Sequence, residues 1–402
     1  MKIGIIREGK IPPDCRAALS PAQAAFIQRN FDAHILVAPS PIRCFSDAEY
    51  RQEGIEVTHD LSDCDVLLGI KEVPIPQLQV GKTYFFFSHT IKKQAHNRAL
   101  LQAVLEKNIT LVDYEVLTDE YGQRLVAFGK FAGMVGAHNG LLGYGLRTGA
   151  FSLPRMKDLS YYSEARRVYR KTLFPPIRAV VTGSGRVSTG AIEVLYDAGF
   201  KEVSVDDYLQ KTFIQPVFTQ ILPQDYVERL DGQPFSKKDY YADPSVFRST
   251  FHQFFGRTDL LINGIFYDRR APRFFELSDM MRFDFKIPVI ADITCDMMPN
   301  SSIPSTIIAS DIDQPFYGFD PIQNAVATDP FAPNVVTMMT VDNLPNELPR
   351  DASVFFGEQF IVQVLPELLR GGDRAVVERA MIAQDGHLTP RFSYLADYLK
   401  TP

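Results

Sequence analysis

Apolar positions along this chain recur with two periods, and the most telling change of period lies near the middle. Residues 179–182 (AVVT) form a short apolar run of the kind that makes a buried strand. Gly183-Ser184-Gly185 interrupts it, and apolar residues then return at Ala191, Val194, Leu195 and Ala198, the spacing of a helix, before Gly199 ends the pattern. The first 130 residues alternate the same two signals. Strands are predicted at residues 2–6, 34–38, 55–58, 65–70, 83–87 and 110–114. Helices are predicted from Ser20-Pro21 to Asn30, from Ser46 to Gly54, and over residues 94–106. Residues 129–149 carry Gly133, Gly136, Gly140, Gly143 and Gly145 at helical spacing and read as a closely packed helix, a spine between domains. A polar helix follows over 157–171, then an irregular, aromatic-rich insertion over 212–257. Strands resume at 259–262, 288–293 and 305–308, and residues 341–348 lead into a helix over 351–369.

Near-continuous apolar strands alternating with helices mean mostly parallel sheets covered on both faces. The predicted fold class is α/β, with two Rossmann-like domains, a double crossover and an interdomain cleft. The expected division is residues 1–130 plus 350–402 for one domain and 131–349 for the other.

Composition narrows the function. At 402 residues and 46% hydrophobic, the chain can bury two cores. A formal charge of −6 without a basic block argues against a nucleic-acid partner. No apolar run reaches membrane-spanning length, and the opening MKIGIIREGK lacks a hydrophobic signal core, so a cytoplasmic protein without membrane attachment is expected. Cys15, Cys44, Cys64 and Cys295 are far apart with no CxxC, which suggests neither a disulfide framework nor a metal site.

In a strand–glycine turn–helix unit the backbone can approach a pyrophosphate, and the helix N-terminus offers it free N–H groups. Here Ser188 stands where the usual fingerprint has its third glycine. Asp206 and Asp207 follow roughly 20 residues on, where a carboxylate can take the ribose hydroxyls or, equally, cap a helix starting at Tyr208. In the first domain Lys71, His89 and Glu115 each follow a predicted strand and so fall on one rim, where such sheets bind ligands. Taken singly, His89 reads as a structural histidine and Lys71 as a solvated loop lysine.

Six stretches together resemble a known family: KTYFFFSHTIKKQ (82–94), VAFGKFAG (126–133), VTGSGRVSTGA (181–191), LLINGIFY (260–267), ADITCD (291–296) and VDNLPNELPRDAS (341–353). They are similar to the lysine-forming saccharopine dehydrogenases, especially the lysine–2-oxoglutarate reductase half of the bifunctional lysine-degradation enzyme. More distantly they resemble alanine dehydrogenase and the soluble part of transhydrogenase. The resemblance implies a nicotinamide-dependent interconversion of saccharopine with L-lysine and 2-oxoglutarate. It makes the first domain substrate-binding and the second dinucleotide-binding.

Residue by residue, the resemblance matches the acid–base pair to Lys71 and His89. It matches substrate contacts to Arg16, Gln94, Arg124, Phe128, Thr294 and Asp296. The cofactor is matched to Gly183, Gly185, Arg186, Val187, Asp207, Phe266, Ile293, Val341, Asp342, Asn343 and Leu344. Lysine, with a reference pKa near 10.4, is a poor base at neutral pH. Arg16, Lys92 and Arg124 are expected to lower the Lys71 pKa, and Glu72 and Glu115 to oppose them. NAD or NADP is implied, with NAD favoured by the carboxylate of Asp207. A cysteine pair that can form a disulfide in fungal members is replaced by Val187 and Gly264, so that redox control is not expected. One of two adjacent family arginines is Gln123. Alternatives are an alanine dehydrogenase-like or other imine-reducing amino-acid dehydrogenase, and a nucleotide-binding regulator without catalysis.

Overall fold

The computed structural model describes residues 1–370 and 375–400. It divides into two compact units, Met1–Phe128 with Pro349–Pro402, and Gly129–Leu348.

The first unit is an eight-stranded sheet. Six parallel strands, β1 (Lys2–Ile5), β2 (His34–Val37), β3 (Glu56–Val57), β4 (Val66–Leu68), β5 (Thr83–Phe86) and β6 (Thr110–Asp113), lie in the order β6-β5-β4-β1-β2-β3. Beyond β6 the sheet is extended by Met381–Gln384 and His387–Leu388, both antiparallel. The inner strands are short and buried on both faces, as parallel strands under helices must be. Helix Pro21–Asn30 starts where Ser20 predicts, with Ser20 and Gln23 forming a reciprocal capping box. The predicted helix over 94–106 begins as a single 3₁₀ turn, Ala95–Asn97, and becomes α-helical at Arg98–Glu106. The helix predicted over 351–369 is two, Pro349–Gln363 and Leu365–Arg370. Phe356 and Phe360 from the first of these pack edge-on against Tyr114.

The second unit has a second eight-stranded sheet and a separate antiparallel pair. Its strands are β7 (Arg178–Thr182), β8 (Lys201–Glu202), β9 (Val217–Ile221), β10 (Val227–Arg229), β11 (Phe247–Ser249), β12 (Leu260–Asn263), β13 (Val289–Asp292), β14 (Phe316–Asp320), β15 (Ala325–Ala327) and β16 (Val336–Met339). The sheet runs β8-β9-β7-β12-β13-β16-β14-β15, with only β14 and β15 antiparallel to their neighbours, and β10 pairs with β11 outside it. The protein is thus mixed α/β with two large, mostly parallel sheets.

Two expectations fail in this unit. Residues 212–257 are not irregular: they supply the sheet strand β9 and a buried aromatic layer of Phe247, Phe251, Phe254 and Phe255 against Phe274 and Phe275. Short strands and 3₁₀ turns leave no sustained period, so clustered aromatic residues were the only trace in sequence. Residues 305–308 are not a strand. Ser305 and Thr306 lie in a buried loop where the Thr306 hydroxyl donates to Asp292 Oδ2 at 2.6 Å. The polar helix predicted over 157–171 shortens to Tyr162–Tyr169 after a 3₁₀ turn at Met156–Asp158.

Helix Gly129–Thr148 is the glycine-rich helix, and its small residues belong to the second unit's own packing. A Cβ on Gly133 would lie 1.8 Å from Val187 O, and one on Gly190 would lie 1.9 Å from Lys130 O. Helix Arg186–Asp197 therefore crosses it backbone to backbone at these two glycines. Among the described residues no helix is long and apolar enough to cross a membrane. None of their His, Cys, Asp and Glu side chains form a group of three or more that could hold a metal ion.

Candidate active site

In the first unit, β4, β5 and β6 are adjacent and parallel, so the residues just past their carboxyl ends share one rim. Lys71 and Glu72 follow β4, Ser88 and His89 follow β5, and Glu115 follows β6. The β6 end anchors the β5 end. Asp113 Oδ2 accepts from the Ser88 backbone at 3.1 Å and from its hydroxyl at 2.5 Å. His89 is thereby held at φ +53°, a left-handed conformation that costs a non-glycine residue roughly 1–2 kcal/mol. Its Nδ1 meets Glu72 Oε1 at 2.5 Å, tying the end of β5 to that of β4. Glu72 also pairs with Lys10 at 3.1 Å.

The charges on this rim are perturbed in ways that follow from burial. Desolvation is the main influence lowering Lys71, to about 8, aided by Arg16 and Lys10 and opposed by Asp14 and Glu72. The neighbours expected from sequence were partly different ones. Arg16 acts as predicted, whereas Lys92 and Arg124 pair with Glu115 at 3.4 and 2.7 Å. Burial would raise the Glu72 carboxyl, but the hydrogen bond and charge of His89, with Lys10, hold it down at about 2. An acidic Glu72 bonded to Nδ1 fixes the imidazole's orientation and leaves Nε2 as the nitrogen for proton exchange.

Of the predicted substrate contacts, Arg16 and Phe128 join this rim. Arg16 is buried, its guanidinium 4.2 Å above the Phe128 ring and forked onto Asp14 at 3.0 Å (Nε) and 2.6 Å (Nη2). Phe128 stacks on Phe356 and packs against Phe87, which itself stacks on His89. Arg124 is half-exposed and reaches the rim through Glu115. Gln94 is exposed and lies outside this group, its backbone carbonyl taken by the Tyr398 hydroxyl.

In the second unit, β7, β12, β13 and β16 end side by side, and most of the predicted cofactor residues lie on that edge. Gly183 has φ +85°, and Gly185 precedes helix Arg186–Asp197 with no side-chain cap. Nothing lies within 4 Å of where a Gly185 Cβ would be, so open space faces the helix's first amides. That cradle fits a pyrophosphate. Ser188 is fully buried and donates to Thr182 O at 2.8 Å, closing the turn from beneath. Arg186 is exposed, and Val187 lies against Gly264, whose Cβ would be 2.9 Å from Val187 Cγ1. Ile293, Val341 and Leu344 are buried, Asp342 is exposed, and Asn343 precedes the 3₁₀ turn Leu344–Glu347. Phe266 is 94% exposed. Thr294 donates to Ile265 O at 2.8 Å, and Asp296 lies close enough to raise the Asp292 carboxyl further after burial has done so.

Asp207 is displaced from the expected position. The strand beside β7 is β9, and β8 lies on the sheet's outer edge. Ser204, not an aspartate, caps helix Val205–Gln210, and Asp207 pairs with Lys211 at 2.8 Å. The turn is instead touched by β9, whose Gln220 amide donates to Gly183 O at 2.7 Å. Asp225 follows four residues after the end of that strand's ladder. Burial raises its carboxyl, and Asp206 is near enough to raise it further. Sequence reasoning missed Asp225 because β9 was hidden in the segment read as irregular. It also missed Glu8 and Asp14. The charge-dense EGKIPPDCR stretch after β1 was their only signal.

Residues 4–135 match the family model described as alanine dehydrogenase/PNT, N-terminal domain. The alpha-aminoadipic semialdehyde synthase of Arabidopsis thaliana is 32% identical over 98% of this chain, which spans 41% of that protein. A protein of Yarrowia lipolytica named saccharopine dehydrogenase [NAD(+), L-lysine-forming] is 25% identical, with 94% of this chain and 95% of that one covered. Among solved structures, an L-alanine dehydrogenase superposes with a TM-score of 0.67 at 17% identity, covering 99% of this chain and all of the other, a likeness of fold.

Proposed function

This chain is a homologue of the saccharopine dehydrogenases and carries an alanine dehydrogenase/PNT N-terminal domain, and from that premise we propose that it is a nicotinamide-dependent oxidoreductase interconverting saccharopine with L-lysine and 2-oxoglutarate. The observation that carries the proposal is the pair of adjacent strand ends bearing a lysine lowered to about 8 and a carboxylate-oriented histidine. Oxidation of a secondary amine followed by hydrolysis of the imine needs proton transfers at nitrogen and at water.

The glycine turn of the second unit would hold the pyrophosphate of a dinucleotide, whose nicotinamide would supply the hydride acceptor. Lys71, part neutral near pH 8, takes the proton from the substrate amine. His89, through Nε2, serves the water that adds to the imine and the lysine nitrogen that leaves. Arg124 and Arg16 meet substrate carboxylates, Arg16 with part of its charge already balanced by Asp14. For the cofactor we propose NAD over NADP, because Asp225, with Asp206 beside it, follows β9, the strand whose Gln220 touches the turn, and carboxylates on that side would repel a 2′-phosphate.

The test is absorbance at 340 nm with L-lysine, 2-oxoglutarate and NADH or NADPH. Oxidation of either cofactor dependent on both substrates supports the proposal. Turnover only with pyruvate and ammonia would make the chain an alanine dehydrogenase instead, and no turnover with cofactor still bound would make it a non-catalytic binding protein.

A further inference from the structure

Glu8 touches the site from a side the acid–base chemistry does not use. It stands three residues beyond β1, almost fully buried. There the backbone ladder between β1 and β4 has run out. Its last bond is from Ile6 N to Leu68 O at 3.0 Å. The amides of Ile70 and Lys71 therefore have no strand partner on that side, and buried amides need one. Glu8 supplies it with a side chain. Its Oε1 accepts from Ile70 N at 2.6 Å and its Oε2 from Lys71 N at 2.9 Å. One carboxyl group thus grips two consecutive amides of the segment that carries Lys71 off the sheet. Gly69 brings the two chain segments this close: a Cβ there would lie 2.8 Å from Ile6 Cδ1 and 3.5 Å from Glu8 Oε1. Asp14, Arg16 and the buried Tyr114 hydroxyl also face Glu8. That hydroxyl has no hydrogen-bond partner among the described residues.

We propose that Glu8 is a positioning residue: its carboxyl group fixes the Ile70–Lys71 backbone and so sets where the Lys71 amine works. The inference rests on the acid–base role proposed above for Lys71. A proton-transfer group displaced by about 1 Å can lose on the order of a hundredfold in rate, so the anchor of a four-methylene side chain matters. Lys71 is also influenced by Arg16, Lys10, Asp14 and Glu72, and each of those contacts depends on where its backbone lies.

Glu8→Gln is the decisive variant. It keeps the shape and one acceptor but sets an NH₂ group against one of the two amides. The expected result is a kcat lower by about tenfold or more, KM values for lysine and 2-oxoglutarate within about threefold of wild type, and an unchanged melting temperature. The second readout is independent of turnover. Labelling of Lys71 by an amine-acylating reagent, followed by peptide mass spectrometry across pH, should show a displaced midpoint. Wild-type kcat with a wild-type labelling curve, or a loss of thermal stability alone, overturns the inference. If Glu8→Gln does not fold, Glu8→Asp, which can reach only one amide, is subjected to the same two measurements, and the same outcomes support or overturn the inference. Lys71→Met runs in parallel. Full activity in that variant removes the acid–base reading, while the labelling curve still decides whether Glu8 positions the lysine.

Discussion

The two sheet rims obey one rule of location and opposite rules of chemistry. Both sites form where adjacent parallel strands end at their carboxyl edge. In the first unit that edge is crowded with ionisable side chains, Lys71, Glu72, His89, Asp113 and Glu115, several shifted well away from their usual pKa. In the second unit the floor of the edge is backbone and a chain of hydrogen bonds ending on one buried carboxyl group, Asp292. Thr182 donates to Asn263 Oδ1 at 2.7 Å, Asn263 donates to Asp292 at 2.8 Å, and glycines keep the turn open above them. On the proposed function, protons move at the first edge and a dinucleotide approaches the second closely. Substitutions should therefore damage the first through side-chain chemistry and the second through volume.

The largest expected effect tests the first half of that contrast. Lys71→Met and His89→Gln should each lower kcat by at least tenfold, and by about 10²–10⁴ if each contributes as acid–base groups typically do, with the fold intact. If they act as one unit, the double variant will match the worse single one. The Lys71 pKa of about 8 also gives a sign. Saccharopine oxidation needs the neutral amine, so its rate should rise with pH through about 8, and the reverse reaction should fall over the same interval. Lys71→Met should erase that limb. A His89 variant with wild-type kcat and profile but a lower melting temperature would make the histidine structural.

Next come the arginines. Arg124→Ala should raise KM for 2-oxoglutarate, but modestly, since Arg124 is half-exposed and water screens its charge. Arg16→Ala should raise it more steeply, by about 2–5 kcal/mol, and it leaves the buried Asp14 without its fork, so its melting temperature should drop further than that of Arg124→Ala, where Glu115 keeps Lys92. Normal 2-oxoglutarate binding in either variant removes that arginine from the substrate site.

The second half of the contrast is tested by volume. Gly133→Ala places a methyl group 1.8 Å from Val187 O, a clash with backbone that no rotamer can relieve. Overpacking of this kind costs about 1–3 kcal/mol or more. The melting temperature should fall and dinucleotide binding should weaken, because the helix it displaces carries the turn. Gly185→Ala meets nothing within 4 Å of its protein surroundings, so it should leave stability unchanged and weaken only the dinucleotide. Equal behaviour of the two glycine variants would erase the distinction between packing and cradle.

How much of this was legible follows from how far each feature depends on neighbours in sequence. Ser20 with Gln23, the strand–glycine–helix unit and the rim positions of Lys71 and His89 are local signals, and each could be read directly. Residues 217–221 could not be recognised as a central strand because their partner, β7, lies some 40 residues earlier in the chain and their flanks carry no regular period. Glu8 was invisible for a similar reason. Its partners are two amides about 60 residues away, and no spacing within the sequence announces a side chain completing a backbone ladder.

The smallest expected effect concerns that hidden strand, and it separates two carboxylates. If the acid that discriminates the ribose lay at the end of the strand following helix Arg186–Asp197, it would be Asp207. That residue is partly exposed on helix Val205–Gln210, after an edge strand, and is paired with Lys211. The strand that touches the glycine turn is β9, and Asp225 lies just past its end with Asp206 beside it. Replacing Asp225 with Ser should therefore shift the ratio of kcat/KM for NADH over NADPH toward NADPH by about tenfold, near 1.4 kcal/mol, as expected from removing one repulsive charge near a phosphate. Fluorescence titration of NADPH binding should move in the same direction. Asp207→Ala should change the ratio by less than about threefold, since Lys211 already balances that charge and water screens both. The reverse ranking would return the role to Asp207 and show that the strand nearest in sequence, not the one nearest in the sheet, reads the ribose.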